Sequence, residues 1–347
     1  MTDITKTCYG TLPGGESVSV YTLTNGKLEA GILDYGGTLI SLCMPGRDGK
    51  IDDVVLAHGG MEQYVTNPGY LGALVGRNSN RISGASFELN GQRIELENNN
   101  NGNNLHSGAG GLSFRIMDAE AGERDGNPAL TLRQVIPDGG DGFPGNLSVT
   151  VVYILTADAL AIEYDAVSDA DTVINLTNHA YFNLEGHGSG CIGGHILQMN
   201  APFYTPLQAN GIPTGEVIST SGTPLDFTNG RMLGDGFTSV HPQLGQFGGY
   251  DHHFIFDGSG FRLVGEVTAP VSGRAMKIYT DRPGVQLYTA NMLDSSDNYK
   301  DGAKYGKHCG FCLETQDFPD AVNVPAFPSV VYRAGEHYVS KTVYKLA

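Results

Sequence analysis

Apolar and polar residues alternate with a period of two along much of the chain, and the alternating runs come in pairs joined by short turn sequences. Because this period turns successive side chains to opposite faces of a strand, the pattern predicts β-hairpins. The predicted hairpins cover residues 17–33, 39–57, 85–96 and 147–167. The first and third turn at Asn25-Gly26 and Asn90-Gly91, where we expect type I′ turns because Asn and Gly tolerate positive φ angles. A helical turn is predicted at GMEQYVTN and in a few other short stretches.

Composition extends this prediction to the whole chain. Gly accounts for 49 of the 347 residues, about twice its usual share of ~7%, and the glycines are spread out as expected for many turns between short strands. No Ser/Pro-rich linker or change of composition divides the sequence. We therefore predict an all-β fold, a large β-sandwich of packed sheets, in a single domain spanning residues 1–347.

The charge of the chain argues against several kinds of partner. A net charge of −16 with 21 Lys and Arg disfavours nucleic acids and anionic membranes, which bind proteins through basic residues. The amino terminus lacks a basic segment followed by an apolar core, and no apolar run reaches the ~18 residues that span a bilayer. We expect a cytoplasmic protein whose five cysteines are reduced. Cys309 and Cys312 form a CxxC, but three residues apart on a strand they face opposite ways, which argues against a redox pair or a zinc site.

The run GFCLETQ places one carboxylate in the middle of a strand-like segment. The period of two puts Cys312, Glu314 and Gln316 on one face, away from Phe311 and Leu313. A carboxylate held on a rigid strand beside amide or imidazole groups can act as a general base. Taken alone, an exposed glutamate on an ordinary strand is the simpler interpretation, so a functional one needs a second site.

The run VINLTNHAYFNL supplies that second site. Its alternation predicts a polar face that carries His179 between Thr177 and Tyr181, opposite an apolar face. The unperturbed pKa of histidine, ~6.5, lets it donate and recover a proton near neutral pH. The simpler interpretation is a polar strand face that meets solvent.

Three further segments carry polar groups that folding alone explains poorly. GRNSNRISG places Arg77 and Arg81 four residues apart in a chain with few basic residues. NNNNGNNLHSG has six asparagines before His106, and without the histidine it would be a disordered polar loop. GGYDHHF places Asp251 and His253 on one strand face. Asp-x-His could be half of a metal site, but no third ligand has a suitable spacing, so a polar pocket without a metal is favoured.

Together these motifs resemble the aldose 1-epimerase, or galactose mutarotase, family. The resemblance is carried by GRNSNRI, the LH of NNLHSG, NLTNHAYFNL, GYDHHF and GFCLETQDFPDAVN, with supporting matches in PDGGDGFPGNL, IPTGEV, TPLDF and PGVQLYTAN. It runs from about Tyr9 to the carboxyl terminus, in the family's order. It implies a β-supersandwich fold, a reaction without a cofactor or metal, and a free hexose such as galactose or glucose as substrate.

The resemblance also implies a role for each motif residue. The glutamate of LETQ, the family's catalytic base, corresponds to Glu314, and the histidine of NHxYFNL, its acid, corresponds to His179. The histidine of the LH motif, a second contact to the ring-oxygen region, corresponds to His106. The implied sugar-binding residues are Arg81, Asp251, Gln286, Asn80 and Tyr181.

Interconverting α and β anomers requires opening the hemiacetal, so a base takes the C1 hydroxyl proton while an acid protonates the ring oxygen. We expect the acid and the base on opposite sides of the sugar ring. We also expect Glu314 to be ionised and His179 protonated at rest, which predicts a bell-shaped pH profile of kcat/KM.

The chain departs from the family pattern in four places. It has no Trp, which the family usually places soon after the LH motif, and Ser107 stands where glycine is common. These two differences leave the position of the His106 loop and the sugar preference open. His253 stands where the family usually has Asn, and Ser79 replaces a common Ala.

Two rival classes of function also stay open. A glycoside hydrolase would pair Asp251 with Glu314 as its two carboxylates, which leaves His179 without a role. A non-catalytic sugar-binding sandwich would not require matched acid and base groups. A sugar-phosphate epimerase fits less well, because its phosphate site should add basic residues. The expected partner is a small sugar, and the strand pattern allows a monomer or a homodimer.

Overall fold

The computed structural model describes residues 3–295 and 298–347, and these residues form mainly β-strands. The strands, in chain order, are β1 (Asp3–Thr11), β2 (Ser17–Thr24), β3 (Glu29–Leu33), β4 (Leu39–Pro45), β5 (Ile51–Asp53), β6 (Leu74–Val75), β7 (Arg81–Ile82), β8 (Ser86–Leu89), β9 (Gln92–Glu95), β10 (Asn104–Leu105), β11 (Asp118–Arg124), β12 (Asn127–Ile136), β13 (Leu147–Leu155), β14 (Ala159–Ser168), β15 (Thr172–Val173), β16 (Thr177–Asn178), β17 (Ile196–Met199), β18 (Phe203–Thr205), β19 (Ile218–Ser219), β20 (Arg231–Met232), β21 (Asp251–Ile255), β22 (Arg262–Thr268), β23 (Ala275–Thr280), β24 (Gly284–Tyr288), β25 (Cys312–Gln316), β26 (Val331–Tyr332) and β27 (His337–Leu346).

Helices are short in the described part of the chain. The α-helices are α1 (Met61–Tyr64), within the segment predicted as a helical turn, and α2 (Pro242–Phe247). The 3₁₀ turns are Ser83–Ala85, Gly108–Gly110, Leu112–Phe114, Ile192–Gly194, Leu233–Gly236 and Lys300–Gly302. None of the helices is long and apolar enough to cross a membrane among the residues that the structure describes.

Three larger sheets organise the fold, and the described residues also form four two-stranded sheets. Sheet I has the order β1-β2-β3-β4-β5. Sheet II has nine strands in the order β11-β12-β13-β14-β27-β23-β22-β17-β20. Sheet III has the order β19-β18-β21-β24-β25 and carries the GFCLETQ glutamate. The pairings in all three are antiparallel, which confirms the all-β prediction.

One apolar cluster joins the three sheets. It takes Leu23 from sheet I, Ile162 from sheet II and Leu287 from sheet III, each with no exposed surface. The hydroxyl of Tyr344 in sheet II donates a hydrogen bond to the carbonyl of Leu313 in sheet III at 3.0 Å. Because one face of sheet III is committed to this core, its other face is available for polar side chains.

The two Asn-Gly turns differ. In the third predicted hairpin Leu89 pairs with Gln92, and Asn90 and Gly91 have φ angles of 53° and 75°, as a type I′ turn requires. In the first, the flanking strands end at residues 24 and 29 and leave four residues in the loop. Asn25 is not in the positive-φ region. Its side-chain oxygen accepts hydrogen bonds from the backbone N–H groups of Lys27 and Leu28. The type I′ prediction is therefore wrong for Asn25-Gly26 and confirmed for Asn90-Gly91.

The VINLTNHAYFNL segment is less regular than its alternation predicts. Only β15 and β16 are strands there, because successive backbone N–H groups bond to different neighbours. The N–H of Asn175 donates to the carbonyl of Arg77 at 2.8 Å, and that of His179 donates to the carbonyl of Ala73 at 2.9 Å. The segment thus pairs with several short stretches instead of with one strand, and both of its faces are buried.

Candidate active site

The polar face of sheet III forms one wall of a pocket of about 660 Å³. Cross-strand partners share a face, so the register aligns His253 with Gln286 and Glu314 in one row. Asp251, Tyr288 and Cys312 form the adjacent row on the same face. The pocket is lined by His58, Pro68, Gly69, Tyr70, Leu71, Asn80, Arg81, Asn100, Leu105, His106, His179, Tyr181, Asp251, Gln286, Tyr288, Met292, Leu293, Asp294, Tyr299 and Glu314.

Glu314 is a buried carboxylate instead of the exposed one that the simpler interpretation predicted. Its side chain is 3% exposed, and Oε2 has no hydrogen-bond partner among the described residues. Burial and the nearby carboxylate of Asp251 raise the pKa of Glu314 well above its usual value, and Arg81 opposes this shift. A buried carboxylate with an unpaired oxygen destabilises a fold, so its retention here points to function.

His179 faces this carboxylate. Its Nε2 lies 3.6 Å from Oε1 of Glu314, and its Nδ1 lies 3.5 Å from Sγ of Cys312. The ring is stacked on Tyr181 with centroids 5.1 Å apart. Burial lowers the pKa of His179 to about 4, so the imidazole is neutral in the free site at neutral pH.

His106 joins the pair through an irregular turn. Its backbone N–H donates to the carbonyl of Asn80 at 3.0 Å, and the backbone N–H of Asn80 donates to Nδ1 of His106 at 3.1 Å. Both residues have positive φ angles, 54° and 61°, which are uncommon outside glycine and cluster at functional sites. Since Nδ1 must accept, Nε2 of the neutral ring carries the hydrogen and can donate into the pocket.

The three groups form one compact cluster. His106, His179 and Glu314 each contribute one atom to a set in which all atoms lie within 4.8 Å of one another. Two histidines and a carboxylate could hold a transition metal. His106 fits that role poorly, because its Nδ1 accepts a backbone hydrogen bond and its Nε2 therefore lacks a free lone pair. The cluster is better suited to proton transfer.

The implied sugar-binding residues surround this cluster. The side-chain amide of Gln286 donates to Oδ1 of Asp251 at 2.7 Å, while Oε1 of Gln286 is buried without a partner among the described residues. Nε of Arg81 donates to Oδ1 of Asn100 at 3.0 Å. Burial raises the pKa of Asp251, against the effects of Arg81 and Gln286. Cation, carboxylate and amide groups on one wall can bind several hydroxyls of one ring.

The close approach of a loop fixes the Arg81 side chain. A Cβ on Gly211 would lie 3.0 Å from Cζ of Arg81, and Gly211 has a φ angle of 80°. Both features favour glycine at this position. The loop therefore packs directly against the guanidinium group.

Two of the implied binding residues also support the histidines. The Tyr181 hydroxyl donates to the carbonyl of Gly69 at 2.8 Å, so its ring supports His179 while its hydroxyl holds the opposite wall. Asn80 lines the pocket and accepts at its own Oδ1 from the N–H of Arg81 at 2.8 Å.

Two of the residues noted in the sequence lie outside the pocket. Arg77 has no exposed surface and pairs with Asp141, so folding explains it fully. His253 shares the strand face of Asp251 as predicted, but it is buried with both ring nitrogens unpartnered among the described residues, and it does not line the pocket.

The contacts that Tyr70 and Cys312 make with the two histidines were not predicted from the sequence. The Tyr70 ring lies at the edge of His106, with centroids 4.6 Å apart, and parallel to His179 at 6.2 Å. It comes from a loop whose sequence carries no motif. Cys312 was placed on the correct face, and its contact with His179 could have been suspected from its position two residues before Glu314.

Comparison with known proteins gives the family. The family model for aldose 1-epimerase matches residues 19–345. The chain belongs to the aldose 1-epimerase family. Galactose mutarotase of Bos taurus is 39% identical over 349 residues, which cover 100% of this chain and 99% of the bovine protein. Aldose 1-epimerase of Haemophilus influenzae is 35% identical over 338 residues, covering 96% of this chain and 97% of that protein.

The fold agrees with this membership. A crystal structure of galactose 1-epimerase from Lactobacillus acidophilus superposes with a TM-score of 0.89 at 24% identity and covers 100% of this chain and 99% of its own. An aldose epimerase homologue from C. elegans gives a TM-score of 0.85 at 26% identity, with the same coverage. The predictions of a mutarotase-like β fold, an isomerase and aldose 1-epimerase activity on hexoses are confirmed.

Proposed function

We propose that this family member interconverts the α and β anomers of free galactose and glucose, with Glu314 and His179 as its proton-transfer pair. The observation that carries the proposal is the buried cluster of His106, His179 and Glu314 in a pocket with polar walls. The bovine relative is a galactose mutarotase, which supports galactose as one substrate.

The two proton-transfer groups lie side by side, not on opposite sides of a sugar ring as the sequence led us to expect. Their separation of 3.6 Å suits the chemistry, because the C1 hydroxyl and the ring oxygen are both bonded to C1. Glu314 takes the proton from the C1 hydroxyl while His179 gives a proton to the ring oxygen. The bond between C1 and the ring oxygen breaks and an open-chain aldehyde forms. Rotation about the C1–C2 bond then exposes the other carbonyl face, and the same groups reverse their roles on closure.

The resting protonation state differs from the expected one. Burial raises the pKa of Glu314 and lowers that of His179. Both shifts favour a pair in which the carboxyl group holds the transferable proton and the imidazole is neutral. Moving that proton to His179 gives the carboxylate and imidazolium that the reaction uses. The two forms carry the same number of protons, so the pH profile of kcat/KM is still bell-shaped. Its acid limb now reports the protonation of His179, and its alkaline limb reports the ionisation of Glu314.

His106 and the walls complete the site. The Nε2–H of His106 is a fixed donor for the ring oxygen, since Asn80 occupies its other nitrogen. Arg81, Asp251 and Gln286 orient the remaining hydroxyls.

Neither rival class gains support from a specific observation. A hydrolase that pairs Asp251 with Glu314 would leave the buried His179 unused. A binding module would have no need of a buried carboxylate whose Oε2 lacks a partner among the described residues.

The test is polarimetry of freshly dissolved α-D-galactose and α-D-glucose in weakly catalytic buffer. Glu314→Gln is expected to lower the catalysed rate by ~10² to 10⁴-fold, the usual contribution of a positioned base. Glu163→Gln is the matched control, because Glu163 pairs with Lys341 on sheet II, away from the pocket. Near-normal turnover by Glu314→Gln would refute the role of Glu314, and a wild-type rate equal to the spontaneous one on both sugars would refute the substrate assignment.

A cytoplasmic location and a monomeric or homodimeric state remain proposals drawn from the sequence, as does the single domain. Light scattering of the purified protein distinguishes the two oligomeric states.

A further inference from the structure

The imidazole ring of His179 could occupy its site in two orientations that differ by a 180° flip. Tyr181 stacks on one face at 5.1 Å and an interplanar angle of 24°, and Tyr70 lies nearly parallel at 6.2 Å and 25°. These contacts fix the plane of the ring. They do not distinguish the ring from its 180° flip, because a flip leaves the plane unchanged. Proton transfer does depend on the flip, since only one orientation places Nε2 next to Glu314.

Cys312 distinguishes the two orientations. Its Sγ lies 3.5 Å from Nδ1 of His179 and is the one side-chain hydrogen-bond partner of that nitrogen among the described residues. After a flip, a ring carbon would face the sulfur and the contact would be lost. The position of the sulfur is itself fixed by sheet III, where Cys312 pairs with Tyr288 on the same face as Glu314.

We propose that Cys312 is the positioning residue of His179, and that its thiol holds Nδ1 so that Nε2 points at Glu314 and the sugar. The inference rests on the proposed role of His179 as the acid. It assigns a function to a buried thiol that the mechanism does not otherwise use.

The thiol is suited to this role because it can serve both protonation states. Burial and the carboxylates of Glu314 and Asp251 raise the pKa of the Cys312 thiol well above its usual value, so it keeps its hydrogen. Towards the neutral imidazole, the sulfur accepts from Nδ1–H, which leaves the lone pair of Nε2 free to receive the proton of Glu314. Towards the imidazolium, Nδ1–H donates to the sulfur. Both hydrogen bonds are weak, so His179 is held in place without the strong stabilisation of its charge that a carboxylate partner would give.

The same chemistry keeps Cys312 from reacting with the sugar. The reaction passes through a free aldehyde, and a thiolate would add to it. A protonated, fully buried thiol is a poor nucleophile, so the positioning role does not bring a trapping reaction with it.

Cys312→Ala and Cys312→Ser test the proposal, with Cys309→Ala as the matched control. Cys309 is a second buried thiol of the same CxxC, and its sulfur accepts a hydrogen bond from Gly306 without contacting His179. Losing one hydrogen bond corresponds to roughly 3- to 10-fold in rate. We expect Cys312→Ala to lower kcat by that factor and to change KM by less than about twofold. Cys309→Ala should leave both kcat and KM unchanged.

The serine variant and the ring nitrogens separate positioning from simple packing. The hydroxyl keeps a donor and an acceptor, although its shorter bond to Cβ requires a small shift of the ring, so Cys312→Ser should recover part of the kcat lost in the alanine variant. In ¹⁵N NMR spectra, neutral wild-type His179 should show a hydrogen on Nδ1 and an unprotonated Nε2. This preference should be lost in Cys312→Ala and kept in Cys312→Ser.

Two results would overturn the proposal: an alanine variant with wild-type kcat, or variants in which kcat falls while the His179 ring nitrogens keep their wild-type resonances. The NMR measurement needs no turnover. If the wild type failed to accelerate mutarotation, the proposed function would fail while the contact between Cys312 and His179 could still be judged.

Discussion

Arg77 and Arg81 lie four residues apart in one segment, and the structure uses them in opposite ways. Arg77 is fully buried, and each of its guanidinium nitrogens donates a hydrogen bond, including Nε to Asp141 at 3.1 Å and Nη1 to Thr172 at 3.0 Å. Arg81 is partly exposed, and its side chain makes one hydrogen bond within the described residues, from Nε to Asn100.

The difference separates a charge that the fold satisfies fully from one that is available to a ligand. A buried ion whose donors are all satisfied has no capacity left for a ligand, and it holds together the segments that surround it. Around Arg81 the polar atoms are incompletely satisfied, and the buried Oε1 of Gln286 and Oε2 of Glu314 have no partner among the described residues. In the proposed function these groups gain partners from the sugar, which would offset their cost to the fold.

The largest expected effect is on stability, from removing the satisfied arginine. Arg77→Met leaves the carboxylate of Asp141 buried and unpaired, and breaking such a pair usually costs about 3–5 kcal/mol. Urea denaturation of the purified variant measures this loss of unfolding free energy.

Arg133→Met is its control. Arg133 pairs with Glu120 at 2.8 Å, but the two side chains are 47% and 69% exposed, so its loss should change stability by less than about 1 kcal/mol. Equal unfolding free energies for the two variants would show that burial does not distinguish the two arginines.

Arg81→Met should give the converse result. A hydrogen bond from a charged donor contributes about 1.5–3 kcal/mol, so kcat/KM should fall roughly 10- to 150-fold while the unfolding free energy changes by less than about 1 kcal/mol. Polarimetry and urea denaturation of one preparation measure both quantities. Arg81→Lys keeps the charge without the planar guanidinium group, so its kcat/KM should lie between those of Arg81→Met and the wild type. A stability loss as large as that of Arg77→Met, with kcat/KM preserved, would contradict the functional assignment.

The types of the residues in the candidate site and their strand faces were predicted from the sequence. The period of two correctly placed Cys312, Glu314 and Gln316 on one face, since β25 is a regular strand paired along its length. The local pattern did not distinguish Arg77 from Arg81, and only the family resemblance assigned a role to Arg81 alone, because the partner that distinguishes Arg77 is Asp141, 64 residues away in the chain. Local patterns carry no information about such contacts.

The charge states could not be read from the sequence either. Glu314 and His179 were expected to be charged at rest, and burial among neighbouring elements shifts both pKa values towards the neutral forms. Burial depends on how the irregular VINLTNHAYFNL segment packs against sheet III, which its alternation described as an ordinary strand.

The smallest effects are shifts in the pH profile, and they test the coupling within the Arg81 region. The reaction needs one proton on the Glu314–His179 pair. Below the His179 pKa of about 4 the pair holds two protons and no base remains, so kcat/KM should fall tenfold per pH unit. Above the raised pKa of Glu314 the pair has no proton and no acid remains, so kcat/KM falls again.

Two variants should move the alkaline limb in opposite directions. Asp251 raises the pKa of Glu314 and Arg81 lowers it, so Asp251→Asn should shift the alkaline limb to lower pH and Arg81→Met should shift it to higher pH. Polarimetric kcat/KM across the pH range, with the spontaneous rate subtracted at each pH, gives both limbs. If both variants moved the limb the same way, or neither moved it, the alkaline limb would not belong to Glu314. Opposite shifts would instead show that Asp251 and Arg81 set the pKa of Glu314. Arg77 is fully hydrogen-bonded outside the pocket and has no such role.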